Sequence, residues 1–233
     1  MENFGKKVSN NFASEVDDFW ENMEVDATFS CPNVSLFRLI GSAVGSLVNK
    51  QVLEVGFQRG ADLMECKRRG ANVVGLDLNP KYVEMVEACS QCDVRKFRAG
   101  TDVIPFSVSF DLIYARDTIY YLTDEELEQF FGQCANKLYS NGTFIVQIIE
   151  TDLRLKPTVE KGRHNFDINF LSQYQPYRIH SEDNPIRFLE AEKVIETAEI
   201  SNLQLIGSKR MLQSYGLDET EIRVDKYFVF KHS

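Results

Sequence analysis

Val52-Leu-Glu-Val-Gly-Phe-Gln-Arg-Gly-Ala61 is the stretch from which the fold is read. A short apolar, β-branched run ends at Gly56, a second glycine follows at Gly60, and an amphipathic segment from Ala61 to Arg69 takes over. Glycine lets a backbone turn tightly and come close to a ligand, and the helix that follows offers unpaired N–H groups to an anion. A dinucleotide fingerprint needs another glycine two residues after Gly56. Gln58 stands there, which disfavours a nicotinamide dinucleotide.

Working outward, the alternation continues. Ala71–Asp77 is strand-like, and Asn79-Pro80 opens a helix to Ala88 with Asn79 as N-cap and Pro80 at the first helical position. Strands are expected at Val94–Ala99, Phe110–Ala115 and Thr143–Ile149. Between the last two lies a helix, Thr123–Leu138, opened by a Thr-x-x-Glu capping box of Thr123 and Glu126. Alternation of this kind predicts an α/β fold with a mostly parallel sheet covered by helices on both faces. Two helices, about Phe12–Met23 and Val34–Val48, are expected before the first strand, and Leu203–Ser208 and Ile222–Phe230 read as closing strands.

The 233 residues, 43% hydrophobic with 17 Phe and 9 Tyr, suffice for one globular domain with its own core. The longest apolar runs are a few residues, far short of the ~18 of a membrane span. With 26 Lys+Arg against 35 Asp+Glu, the net charge of −9 argues against a nucleic-acid partner, which needs a basic face to displace counterions. No apolar leader opens the chain, so a cytoplasmic location is expected. The five cysteines are read as reduced thiols. Cys89-Ser-Gln-Cys92 lacks the second pair that a zinc site would want, and no metal is expected.

Taken together, Glu54, Gly56, Gly60 and Asp77 resemble motif one, and the acid that follows it, of the class I S-adenosylmethionine-dependent methyltransferases. Pro105-Phe106 followed by Phe110-Asp-Leu-Ile resembles that family's fourth strand, and Tyr139-Ser-Asn-Gly-Thr143 occupies the place of its turn before strand five. The resemblance covers about residues 50–150 and implies a Rossmann-like sheet of seven strands with an antiparallel last strand. It implies S-adenosylmethionine as cofactor, with S-adenosylhomocysteine as product. Glu54 would lie near the methionine amino group, Gly56 and Gly60 at the turn under methionine and ribose, and Asp77 at both ribose hydroxyls, with Phe57 and Leu78 also at the cofactor. Thr101 or Asp102 would meet the adenine amino group, and Arg116 would border the cofactor pocket. The expected layout is a single domain: N-terminal helices (1–49), cofactor core (50–150), a lid (151–190) and a C-terminal helix with two strands (191–233).

The acceptor is approached through the end of the fourth strand. No Asn/Asp-Pro-Pro-aromatic tetrad and no Pro-Cys nucleophile occurs there, so methylation of nucleic-acid bases is not expected. Arg116-Asp-Thr-Ile119 resembles the RDTILHI stretch of the phosphoethanolamine N-methyltransferases, and that family's catalytic histidine falls on Tyr121. If the acceptor arrives protonated, Tyr121, His164 and His180 are the candidate bases. Arg154, Arg163, Arg178 and Arg187 gather around the lid. Arginine presents a planar fork to phosphate or carboxylate, which points to a small, polar, anionic acceptor. The expected state is a monomer or homodimer. The alternatives are a protein or peptide methyltransferase, with an open groove in place of a lid, and a non-catalytic S-adenosylmethionine-binding regulatory module.

Overall fold

A computed structural model describes residues 11–23, 31–153, 187, 189–215 and 221–232. Two helices come first, α1 (Phe12–Asn22) and α2 (Val34–Ala43). The first turn of α2 is held by Asn33, whose side chain accepts the Leu36 N–H at 2.9 Å. The helix stops at Ala43 rather than Val48 because Gly45 takes φ +79°.

Strands and helices then alternate: β1 (Gln51–Val55), α3 (Ala61–Arg68), β2 (Asn72–Asp77), α4 (Pro80–Ser90), β3 (Asp93–Lys96) and β4 (Phe110–Ala115). A single 3-10 turn, Ile119–Tyr121, leads to α5 (Asp124–Lys137), and β5 (Leu138–Leu153) follows directly. After α6 (Ala191–Ile200) come β6 (Leu203–Tyr215) and β7 (Glu221–His232). The caps expected from sequence are present. Asn79 accepts the Lys81 N–H at 2.8 Å, and Thr123 and Glu126 cap each other's backbone N–H groups at 3.2 and 2.8 Å.

The seven strands form one sheet in the order β3-β2-β1-β4-β5-β7-β6. Pairing is parallel from β3 through β5, and β7 runs antiparallel to both β5 and β6. This is the Rossmann-like seven-stranded sheet with a reversed last strand. Order reverses at β1 and β4, so their carboxyl ends diverge into a crevice, the place where open α/β sheets take ligands.

Four strands depart from their expected bounds by more than one residue. β3 ends at Lys96 instead of Ala99, because the Asp102 carboxylate captures the Arg98 N–H at 2.7 Å and Gly100 adopts φ +80°, which folds Phe97–Asp102 into a turn. β5 begins at Leu138 rather than Thr143, since Leu138 already pairs with Phe110 across a register shift. β6 runs on to Tyr215, well past Ser208, and β7 is longer by one residue at its start and two at its end. Their pairing with each other, and that of β7 with β5, continues beyond Val146, the last β5 residue paired to β4. A three-stranded antiparallel wall therefore rises past the carboxyl edge of the parallel half.

One continuous hydrophobic core joins the N-terminal helices to the far edge. It runs from Phe12 and Val16 on α1, through Leu53, Tyr114, Phe131 and Phe144, to Phe230 on β7.

Candidate active site

A cavity opens at the crevice. Its floor is the strand–glycine turn, with Val55, Gly56 and Gln58. Its sides are the ends of β2 (Leu76, Asp77, Leu78) and the turn after β3 (Phe97, Arg98, Ala99). Asp117, Thr118, Tyr121 and Leu122 close the β4 side, and Val16 and Trp20 of α1 cover the top.

The floor is held by close contacts that leave no room for side chains. Gly56 has φ +79°, and a Cβ there would stand 2.1 Å from Thr118 Oγ1. That hydroxyl is committed to the Val55 and Arg116 carbonyls at 3.0 and 2.9 Å, so it cannot give way. Gly60 has φ +71°, and its Cβ would meet Val86 at 2.9 Å. Gln58 adopts the same left-handed region at φ +47° despite its side chain. The gain that offsets the strain is visible: its N–H donates to Asp77 Oδ2 at 2.7 Å.

Asp77 is 5% exposed. Its other oxygen accepts the Asn79 N–H at 2.9 Å. Burial pushes its carboxyl up from 3.8 to about 6, against the backbone N–H groups of Asn79, Gln58 and Leu78, which favour the charge. Glu54 is more deeply enclosed, flanked in register by Gly75 on β2 and Tyr114 on β4. Burial and then the neighbouring Asp62 hold its carboxyl well above the ordinary range, opposed by a hydrogen bond to Tyr114. Oε2 of Glu54 has no hydrogen-bond partner among the described residues.

Around the β4 exit a polar cluster fixes the turn. Arg116 donates to Asp62 at 3.0 Å and to Asp117 at 2.6 Å, and Tyr120 donates its hydroxyl to Asp117 at 3.0 Å. Asp117 sits at φ +55°, held there by its N–H bond to Gln147 Oε1 at 2.8 Å. Gln147 donates in turn to the buried Asp225 of β7 at 2.9 Å. On the other side Arg98, 9% exposed, pairs with Asp17 of α1 at 2.7 Å and with Glu126 at 2.9 Å. The N-cap helix of the cavity is also tied to α1, since Asn79 Nδ2 donates to the Trp20 carbonyl at 2.8 Å.

Of the residues expected at the cofactor, Gly56, Asp77 and Leu78 line the cavity, and so does Tyr121, whose ring meets Trp20 edge-on at 5.3 Å. Gly60 lies behind the turn as N-cap of α3. Phe57 points away into the core, where its ring leaves no space for a Cβ on Gly75. Arg116 is engaged by Asp62 and Asp117 rather than lining the cavity. Thr101 and Asp102 are exposed and outside the wall, because the short β3 puts Phe97, Arg98 and Ala99 in the place expected of them. His164 and His180, with Arg154, Arg163 and Arg178, lie outside the described residues. Arg98, Asp117 and Thr118 were not singled out as cavity residues from sequence. Their position just past the carboxyl ends of β3 and β4 is the signal that finds them.

Among the described residues no cluster of three His, Cys, Asp or Glu is arranged to hold a metal ion, and no helix is long and apolar enough to cross a membrane. Cys66, Cys92 and Cys134 are buried, Cys31 and Cys89 exposed, and all are free thiols.

Sheet order, reversed last strand and the glycine turn at the switch point define the class: the fold is that of the class I S-adenosylmethionine-dependent methyltransferases. Residues 53–146 match the family model described as the methyltransferase domain. Among solved structures it resembles geranyl diphosphate C-methyltransferase from Streptomyces coelicolor A3(2), at 10% identity and TM-score 0.65 over 97% of this chain and 99% of that one. It also resembles magnesium protoporphyrin IX methyltransferase from Synechocystis PCC 6803, at 13% identity and TM-score 0.61 over 95% and 100%. A TehB-like methyltransferase from Corynebacterium glutamicum is similar at 15% identity and TM-score 0.55, over 85% and 95%. No curated protein matches the sequence significantly.

Proposed function

We propose that the chain transfers a methyl group from S-adenosylmethionine to a small, polar, anionic acceptor. The observation that carries the cofactor half is Asp77: a buried carboxylate at the end of β2, pre-oriented by two backbone N–H groups and facing a cavity floored by Gly56. Two vicinal hydroxyls are the natural donors to such a group. The donor set suits the rest of the molecule. Leu78, Phe97 and Ala99 offer apolar surface to a flat base, and Asp117 presents a carboxylate on the side where a sulfonium and an ammonium would lie, with the buried Glu54 carboxyl outside the cavity lining.

S-adenosylmethionine supplies a methyl carbon already activated by its positive sulfur. The chain's own residues therefore need chiefly to align and to exclude water. Trp20 and Val16 close the cavity from above, while Asp117, locked by Arg116, Tyr120 and Gln147, fixes the turn past which an acceptor would enter. Tyr121 borders the same side, with its ring against Trp20, and is the candidate base that lines the cavity. The anionic character of the acceptor is supported by the arginines of 154–187. A similar structure, geranyl diphosphate C-methyltransferase in complex with geranyl diphosphate, supports an anionic acceptor for this fold.

Isothermal titration tests the reading. S-adenosylmethionine and S-adenosylhomocysteine should bind in the micromolar range, about −8 kcal/mol, and Asp77→Ala should remove the binding. NADH should not bind. Absence of binding by either sulfur compound to the unaltered chain would overturn the proposal.

A further inference from the structure

The 3-10 turn Ile119–Tyr121 has a second partner on the face that the cofactor cavity does not use. The Arg187 N–H donates to the Tyr120 carbonyl at 3.0 Å, so the arginine is pinned beside the turn. Its side chain is only 9% exposed. Nη1 donates to Asp124 Oδ1 at 2.6 Å, whereas Nε and Nη2 are buried with no hydrogen-bond partner among the described residues.

Nε–H and Nη2–H lie on one edge of the planar guanidinium and point the same way. They form a complete two-pronged donor whose match is a pair of oxygens on one carboxylate or phosphate. A guanidinium cannot escape burial by losing its proton, and two buried donors left unmade are costly, so the vacancy on that edge calls for an explanation. Asp124 neutralises the charge weakly, because its own side chain is 57% exposed and well screened. Asp124 is also the first residue of α5, where the helix adds positive rather than negative potential. The site thus has a screened counter-charge on Nη1 and two donors on the other edge with no acceptor among the described residues, beside the turn whose Tyr121 lines the cavity.

We infer that the Nε–Nη2 edge of Arg187 is an oxyanion-binding fork that seats the acidic group of the methyl acceptor. The inference rests on the methyltransferase reading for the identity of the ligand, but not for the fork itself. Phosphate and carboxylate share the chemistry, and separate probes tell them apart.

The test uses the full chain with S-adenosylhomocysteine present, titrated at constant ionic strength with sodium phosphate and, separately, with sodium acetate. One of the two anions binds the unaltered chain, and Arg187→Lys and Arg187→Gln each weaken it at least about tenfold. The lysine variant is decisive, since it keeps the charge and loses the fork. Affinity for S-adenosylhomocysteine stays the same, because Arg187 does not line that cavity. If the variants fold poorly, the unaltered chain still reports: an arginine Nε–H resonance of a protected side chain moves on titration with the anion. Binding of neither anion, equal binding to the wild type and the lysine variant, or no arginine Nε–H shift would overturn the inference. Arg187-dependent anion binding in a chain that fails to bind S-adenosylhomocysteine would keep the fork and remove only the methyl-donor reading.

Discussion

At the scale of single residues, Asp77 sets a pH dependence whose sign can be worked out. Its carboxyl stands at about 6 in the folded chain against an ordinary 3.8, raised by burial. A carboxyl raised on folding favours the folded state most when protonated, so its contribution is full below about 4 and is lost as pH rises through about 6. Ligand binding runs the other way. Two hydroxyls can both donate only to the ionised form, so the affinity for S-adenosylhomocysteine should hold above pH 6 and fall toward tenfold per unit below it. Titration calorimetry between pH 5 and 8 measures this. Asp77→Asn should bind more weakly and lose the slope, and an unchanged slope in that variant would assign the titration to another group. The acid was legible in the sequence because it ends a strand just before an Asn-Pro cap. What the sequence withheld was the Gln58 N–H that orients it, since a non-glycine at φ +47° is not expected from residue type.

At the scale of elements, α1 is the piece that makes a crevice into a cavity. Val16 and Trp20 face the site, and the helix is fastened at both ends: Asp17 and the Ala13 carbonyl to Arg98, Glu21 to Lys96, and the Trp20 carbonyl to Asn79. The Glu21–Lys96 pair is half-exposed and contributes at most about 1 kcal/mol after screening, whereas in the Asp17–Arg98 pair only the carboxylate reaches solvent. The helix itself was legible from its apolar spacing. The contacts with Asn79 and Arg98 that seat it were not, because those residues lie far along the chain. The same distinction applies to β3, where alternating Phe97 and Ala99 read as strand until Gly100 and the Asp102 side chain turn the backbone. It applies again to β6, whose register shifts between Leu205 and Gly207 and whose exposed Ser208, Lys209 and Arg210 hide its continuation. The expected behaviour of α1 is measurable by hydrogen exchange. Amides of 12–22 should become protected when S-adenosylhomocysteine binds, and Asp17→Asn should speed their exchange a few-fold with the sheet unaffected. Trp20 is the only tryptophan, so its fluorescence should follow the same event. Exchange in α1 indifferent to the ligand would mean that the helix is a fixed wall.

At the scale of the whole molecule, the parallel half that carries the cavity and the antiparallel wall of β5, β6 and β7 are joined by more than apolar packing. Gln147 and Asp225 are both 0% exposed, and they link β7 through β5 to the Asp117 turn, where Arg116 continues the chain of bonds to Asp62 on α3. A buried polar network of this kind is costly if broken and neutral if a conservative partner restores it. Asp225→Ala leaves the Gln147 amide without its acceptor and should lower stability by roughly 1–3 kcal/mol, read as a lower urea midpoint at unchanged slope. Asp225→Asn keeps a carbonyl oxygen for the same amide and should recover most of the loss. The consequence reaches the site because the strained Asp117 backbone depends on Gln147 Oε1. Freed of its anchor, Gln147 can reorient, and the acceptor-side turn should then loosen while the Asp77 side stays intact. The alanine variant should accordingly bind S-adenosylhomocysteine nearly as well as the unaltered chain, yet show faster exchange at the Asp117 and Thr118 amides. Equal loss of stability in both variants would instead assign Asp225 a role through its charge, independent of the hydrogen bond to Gln147.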